Sequence, residues 1–105
     1  LRRPFAQSHR FLRGFKRDTL SDEEYSEALR CIHEAFNLTA GHTLFPEQLA
    51  AFIDEYPSFE PIEAEILTYF SRSNAYFFAD SVERFTLDEL IVFTKQCRDI
   101  EQGLA

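Results

Sequence analysis

Behind a capping box formed by Ser21 and Glu24, the residues Tyr25, Ala28, Leu29, Ile32 and Phe36 recur at i, i+3, i+4, i+7 and i+11. That spacing commits this part of the chain to an amphipathic helix. In the box, the Ser21 hydroxyl and the Glu24 carboxylate each satisfy a backbone N–H that a helix start leaves unpaired. Asp22 and Glu23 add negative charge where the helix dipole is positive, and Glu23, Glu27, Arg30 and Glu34 fall away from the apolar stripe. Gly41 is the expected stop, because a residue without Cβ enters the left-handed cap cheaply.

The same signals recur downstream. Pro46 suits the first position of a short helix whose buried side is Leu49, Phe52 and Ile53, and Pro57 is expected to end it. A third helix opens at Pro61, with Ile62, Ile66, Tyr69, Phe70, Ser73 and Phe77 on one face and Leu67 and Phe78 widening it. Residues 79–85 read as a polar connection. Thr86 with Glu89 repeats the capping box, and Leu87, Leu90, Ile91, Phe93, Cys97 and Ile100 line the last helix up to an expected end at Gly103. Three Gly, four Pro and few β-branched residues argue against antiparallel sheet. The expected fold is all-α, a compact four- to five-helix antiparallel bundle. At 105 residues it forms one core, and 12 Phe and 4 Tyr make that core ring-dominated.

Charge divides the chain. Residues 1–17 carry Arg2, Arg3, Arg10, Arg13, Lys16 and Arg17 and no acidic residue; the remainder carries five basic residues against all 18 acidic ones, for a net charge of −7. The division suggests a basic juxtamembrane arm or helix over 1–17 and an acidic helical-bundle domain over 18–105. Basic clusters of this kind lie just cytoplasmic of membrane spans and attract anionic lipid. Phe5, Phe11, Leu12 and Phe15 also allow a helix packed on the domain, and the two readings are compatible. A nucleic-acid binder would spread its basic residues over the folded face, so nucleic acid is not an expected partner. The chain opens Leu1-Arg2-Arg3 without an initiator Met and reads as a piece of a longer protein. It contains neither a signal peptide nor the ~20 apolar residues that span a bilayer.

Signals for chemistry are sparse. Cys31 and Cys97 read as buried free thiols, weakly consistent with a reducing compartment. Cys31 and His33 sit two positions apart on a helix and diverge by about 200°, a poor chelate. The segment from Asn37 to Glu47 puts apolar residues where calcium-loop carboxylates belong, so no metal site is expected. Neither a phosphate loop nor a nucleophile turn is present, and no cofactor or enzymatic activity is expected. Tyr76, Phe77 and Phe78 point in three directions on one helix. With Phe85 they either pack into the core, with the N-terminal arm wrapping the helix end, or leave a ring exposed as a candidate for partner binding. Asn37 and Thr39 are candidates for a binding loop, or for polar groups that satisfy the end of the helix.

The run Ala28-Leu29-Arg30-Cys31-Ile32-His33-Glu34-Ala35-Phe36-Asn37-Leu38-Thr39-Ala40-Gly41, followed by Leu44-Phe45, Pro57-Ser58-Phe59-Glu60-Pro61-Ile62, Phe70, Phe77-Phe78 and Cys97-Arg98-Asp99, resembles a known segment. It is similar to the C-terminal cytoplasmic part of MxaA-type proteins, membrane-anchored accessory factors of bacterial methanol oxidation. The resemblance implies a cytoplasmic domain of an inner-membrane protein that helps mature methanol dehydrogenase, through insertion of calcium into that enzyme. It implies no calcium site and no catalytic residue here. A general docking or regulatory module of a membrane complex, unrelated to methanol, is the alternative.

Overall fold

The computed structural model describes residues 3–104. Five α-helices follow one another: α1 (Pro4–Arg13), α2 (Asp22–Ala40), α3 (Leu49–Glu55), α4 (Glu63–Phe78) and α5 (Leu87–Leu104). Short 3₁₀ turns at Pro46–Gln48 and Pro57–Ile62 lead into α3 and α4, and no strand occurs among the described residues. The architecture is the all-α bundle that the apolar periodicities imply.

Both capping boxes form. Ser21 Oγ accepts the Glu24 N–H at 3.1 Å while the Ser21 N–H donates to Glu24 Oε1 at 2.9 Å. Thr86 and Glu89 exchange the same pair of bonds at 3.1 and 2.8 Å. Gly41 ends α2 at φ +82°, its N–H donating to the Asn37 carbonyl at 2.8 Å. Nothing lies within 4 Å of a Cβ built there, so another residue would suffer from the left-handed backbone alone.

Three expectations are corrected. α4 begins at Glu63 rather than Pro61, since residues 57–62 wind as a 3₁₀ turn. Pro61 has no N–H for a preceding carbonyl, so regular α pairing starts only beyond it. Leu67 and Phe78 do not widen the buried face, being 50 % and 84 % exposed. Gly103 lies inside α5 rather than closing it, and the backbone there never turns left-handed.

The N-terminal segment shares the core with the acidic remainder of the chain. Phe5 and Leu12 are fully buried on α1, with Ser8 and His9 on the same face. α1 lies antiparallel along α5: its start meets Glu101, and one turn later His9 meets Thr94. Ser8 hydrogen-bonds across to Cys31 on α2, which requires the two backbones to run close together. The expected boundary at residue 17 falls in the loop between α1 and α2.

Two interactions tie these helices together. The first is the Phe36 ring on α2, fully buried and met by rings from every other helix. Phe5 of α1 packs edge-on at 4.8 Å, Phe70 of α4 at 5.2 Å and Phe52 of α3 at 5.8 Å, while Phe93 of α5 stacks at 6.2 Å. The second is the Glu101 carboxylate. Nothing on the Arg3 side chain caps α1, and Glu101 does so from the far end of the chain. The Phe5 N–H donates to its Oε1 at 2.8 Å and the Ala6 N–H to its Oε2 at 3.1 Å. Both oxygens are thereby satisfied at the positive end of the α1 dipole.

Removing either tie has a definite cost. Phe36→Ala leaves a ring-sized cavity and lowers unfolding free energy by about 3–5 kcal/mol in urea denaturation. A loss below about 1 kcal/mol would contradict its central position. Glu101→Ala leaves one buried and one partly buried amide without partners and costs about 2–3 kcal/mol. Glu101→Gln recovers only part of this, since its NH2 group cannot accept a bond. An unchanged midpoint in both Glu101 variants would sink the capping role.

Candidate functional site

The α2 capping loop and the end of α4 together make a groove of about 440 Å³. α2 and α4 run antiparallel, as shown by Ser26 bonding Tyr76 at 3.1 Å, His33 bonding Ser73 at 2.8 Å and Phe36 meeting Phe70 further along. Where α2 turns at Gly41, the Leu44 N–H donates to Asn37 Oδ1 at 2.8 Å, which folds residues 41–45 back against the helix. This presents Phe45 to the same opening as Phe77 and Phe78. The Phe45 ring is 52 % exposed and the Phe78 ring 84 %. His33 and Phe70 also line the groove, and the Arg30 guanidinium lies over the Phe77 ring at 5.2 Å.

Of the sequence-derived candidates, Asn37, Phe77 and Phe78 come together here, joined by Phe45 and His33, which sequence reasoning had not chosen. Thr39 has a local task, its hydroxyl donating to the Ala35 carbonyl at 2.9 Å. Asn37 serves both as loop anchor and as groove wall. Tyr76 and Phe85 belong to other surfaces. Tyr76 packs edge-on against Tyr25 at 4.9 Å, with Arg84 over both rings at 5.5 and 4.9 Å. Phe85 stacks on Tyr69 at 5.8 Å under the Arg72 guanidinium.

Phe85 and Tyr69 form part of a second groove, of about 480 Å³, between α4 and α5. Its floor includes Leu90 and Phe93 and its rim carries Glu65, Asp88, Glu89 and Arg72. The basic residues are also dispersed. Arg17 is bound to Glu24, Lys16 is exposed, and Arg3, Arg10 and Arg13 line a cleft against α5. Arg2 lies outside the described residues.

A Ser–His pair at hydrogen-bond distance is the first requirement of nucleophilic catalysis. The pair of Ser73 and His33 lacks the others. Ser73 is fully buried, and no carboxylate bonds the His33 ring among the described residues. Burial lowers the His33 pKa to about 4, which makes it a weak base. Flanked by Tyr69 and Phe70 at 5.0 Å each, the ring works as a polar lock between α2 and α4. Cys31 faces Ser8 on α1 while His33 faces α4, so the two do not converge on a metal. No group of three His, Cys, Asp or Glu residues positioned to hold a metal occurs among the described residues. Cys31 and Cys97 are free thiols, and burial, with Glu101 adding to it, pushes the Cys97 thiol well above its usual range. No helix among the described residues is long and apolar enough to cross a membrane.

The His33 shift has a consequence for stability. An unfolded histidine takes up its proton near pH 6.5 and the folded one only near 4, so the unfolded state binds more protons between them. The stabilisation due to neutral His33 is complete above pH 6.5 and is lost as pH falls toward 4. At about 1.4 kcal/mol per unit it amounts to no more than about 3.5 kcal/mol. His9, lowered by burial and then by Arg98 and Arg13, acts in the same direction. Urea unfolding of wild type and His33→Gln at pH 7, 5.5 and 4.5 isolates the His33 part. The gap between the two proteins narrows as pH falls, and a constant gap would refute the assignment.

Compared with protein-family models, curated proteins and solved structures, the chain has no significant match to any of them.

Proposed function

We propose that this chain is a non-enzymatic interaction domain of a membrane-anchored accessory protein for methanol dehydrogenase maturation, and that the Phe45–Phe77–Phe78 groove is its partner-binding face. The observation that carries the interaction reading is the Phe78 ring, 84 % exposed beside a half-exposed Phe45. Two large rings left in water at one opening are a standing cost that a partner surface removes, at roughly 25 cal/mol per Å² of apolar area covered. The groove offers polar orientation from Asn74 and a cation from Arg30, the mixture found at the centre of protein interfaces.

The methanol assignment rests on the resemblance to MxaA-type segments. Residues that carry this resemblance, His33, Asn37, Leu44, Phe45, Phe70, Phe77 and Phe78, also line the groove. The metal chemistry in this reading takes place across the membrane, and the domain holds a protein on the cytoplasmic side.

The test is a Phe45→Ser/Phe78→Ser variant of the parent protein expressed from its own chromosomal locus. Phe78 makes few core contacts, so the Phe78 change alone shifts unfolding free energy by no more than about 0.5 kcal/mol. Growth on methanol and the calcium content of purified methanol dehydrogenase are then measured. A calcium-poor enzyme at normal abundance is the expected result. Full growth with full calcium would remove the groove from the maturation role.

A further inference from the structure

Four arginines converge on one cleft of about 500 Å³ between α1 and α5. Arg10 and Arg13 lie three residues apart on α1, and Arg3 precedes Arg10 by seven at the helix N-cap, so the three share its outer face. Arg98 of α5 faces them, with His9 at the floor and Gln102 at the edge. Although the chain carries 18 acidic residues, none forms an ion pair with Arg3, Arg10 or Arg13 among the described residues. Arg98 has only its neighbour Asp99, at 3.2 Å. The acid on the adjacent turn of α5 is Glu101, and both of its oxygens already accept backbone amides of α1.

The cleft floor is polar and ordered. The His9 side chain is only 6 % exposed, and its Nδ1 lies 3.1 Å from Thr94 Oγ1. Thr94 sends its own hydroxyl proton to the Leu90 carbonyl at 2.9 Å, so it accepts from His9 Nδ1–H. The His9 ring closes the bottom of the cleft that the guanidinium groups line. Burial, Arg98 and Arg13 all lower the affinity of this ring for a proton. The cleft therefore gathers four guanidinium groups, three of them without an ion pair among the described residues, in a chain that is otherwise strongly acidic.

From this arrangement we infer that the α1–α5 cleft binds a multiply charged phosphate group. A single carboxylate would neutralise one guanidinium. A phosphate presents several oxygens and up to two charges, and guanidinium forks engage such oxygens in pairs. Extended nucleic acid is disfavoured, because the acidic body would repel every phosphate outside the cleft. The inference does not depend on the aromatic groove, which shares no residue with the cleft. The phosphate has two sources, a soluble phosphate ester and a lipid phosphomonoester headgroup, and they are separable by experiment.

The probes are sodium tripolyphosphate, followed by calorimetry, and phosphatidylcholine vesicles with and without phosphatidic acid, whose phosphomonoester carries up to two charges, followed by sedimentation. Wild type, Arg10→Ala/Arg13→Ala/Arg98→Ala and the control Lys16→Ala/Arg17→Ala are compared. Arg10 and Arg13 are exposed, so thermal unfolding of the cleft variant verifies that its fold is retained. Tripolyphosphate binding that falls at least about tenfold in the cleft variant, and by less than about twofold in the control, supports a soluble carrier. Binding to phosphatidic acid vesicles but not to tripolyphosphate, lost only in the cleft variant, supports a lipid headgroup. Absence of binding to both probes, or equal losses in cleft variant and control, overturns the site.

Discussion

The bundle depends on one aromatic ring. Phe36 sits fully buried on α2, and a ring from each of the other four helices reaches it. Edge-on contacts with Phe5, Phe52 and Phe70 set the positive edge of one ring against the negative face of another. The orientations are mutually restrictive, because moving one helix spoils several ring contacts at once. Tyr69 extends the same layer: its ring stacks on Phe93 at 5.2 Å and its hydroxyl donates to the Leu29 carbonyl at 2.7 Å. The aromatic groove is the place where this layer reaches the surface. One turn before Phe36, His33 touches Tyr69 and Phe70 on its inner side and opens to solvent on its outer side.

α1 is held by a different force. It is short, its N-cap residue supplies no side-chain bond, and its first turn has no acidic residue. A ten-residue helix of this kind is marginal alone. Burial of Phe5 and Leu12 and the Glu101 carboxylate at its N-terminus make it part of the core. The same docking turns Arg3, Arg10 and Arg13 outward toward Arg98. A basic cleft is thus the geometric result of capping α1 from α5. Glu101 is spent on backbone amides and Asp99 pairs with Arg98, which leaves Arg3, Arg10 and Arg13 without an ion pair among the described residues.

Much of the fold was legible because helix boundaries are written in local chemistry. The Ser21/Glu24 and Thr86/Glu89 boxes and the Gly41 cap appear where short-range hydrogen bonding predicts them. The errors arise where local pattern stops being sufficient. Leu67 and Phe78 belong to the apolar composition of α4 but not to its buried stripe, because periodicity does not say where the neighbouring helices end. Gly103 reads as a stop, yet a glycine can also continue a helix at modest cost. The pairing of Phe5 with Glu101 spans nearly the whole chain and has no local signature. For the sites, Phe78 reads as part of the buried face of α4 and is instead exposed, because α4 runs past the helices that would cover it. The roles of Phe45 and His33 were not legible, since both depend on how the Gly41 loop folds back through Asn37.

The two surfaces differ in physics, and that difference bears on what each can do. The groove carries apolar rings and a histidine whose pKa of about 4 keeps it neutral near pH 7. Its attraction for a partner comes from removing ring surface from water, a term that added salt scarcely weakens. The cleft gathers fixed charges, whose attraction for an exposed anion fades beyond a Debye length of about 8 Å at physiological ionic strength. Burial works on both histidines alike, but to different ends. Within the groove it removes charge from an apolar face. In the cleft it leaves the guanidinium groups as the source of positive charge, since His9 resists protonation among them. Occupancy by an anion would relieve the mutual repulsion of those arginines across the same α1–α5 contact that Glu101 secures. An anion in the cleft would therefore also stabilise the docking of α1, and so reinforce the Phe5 contact with Phe36.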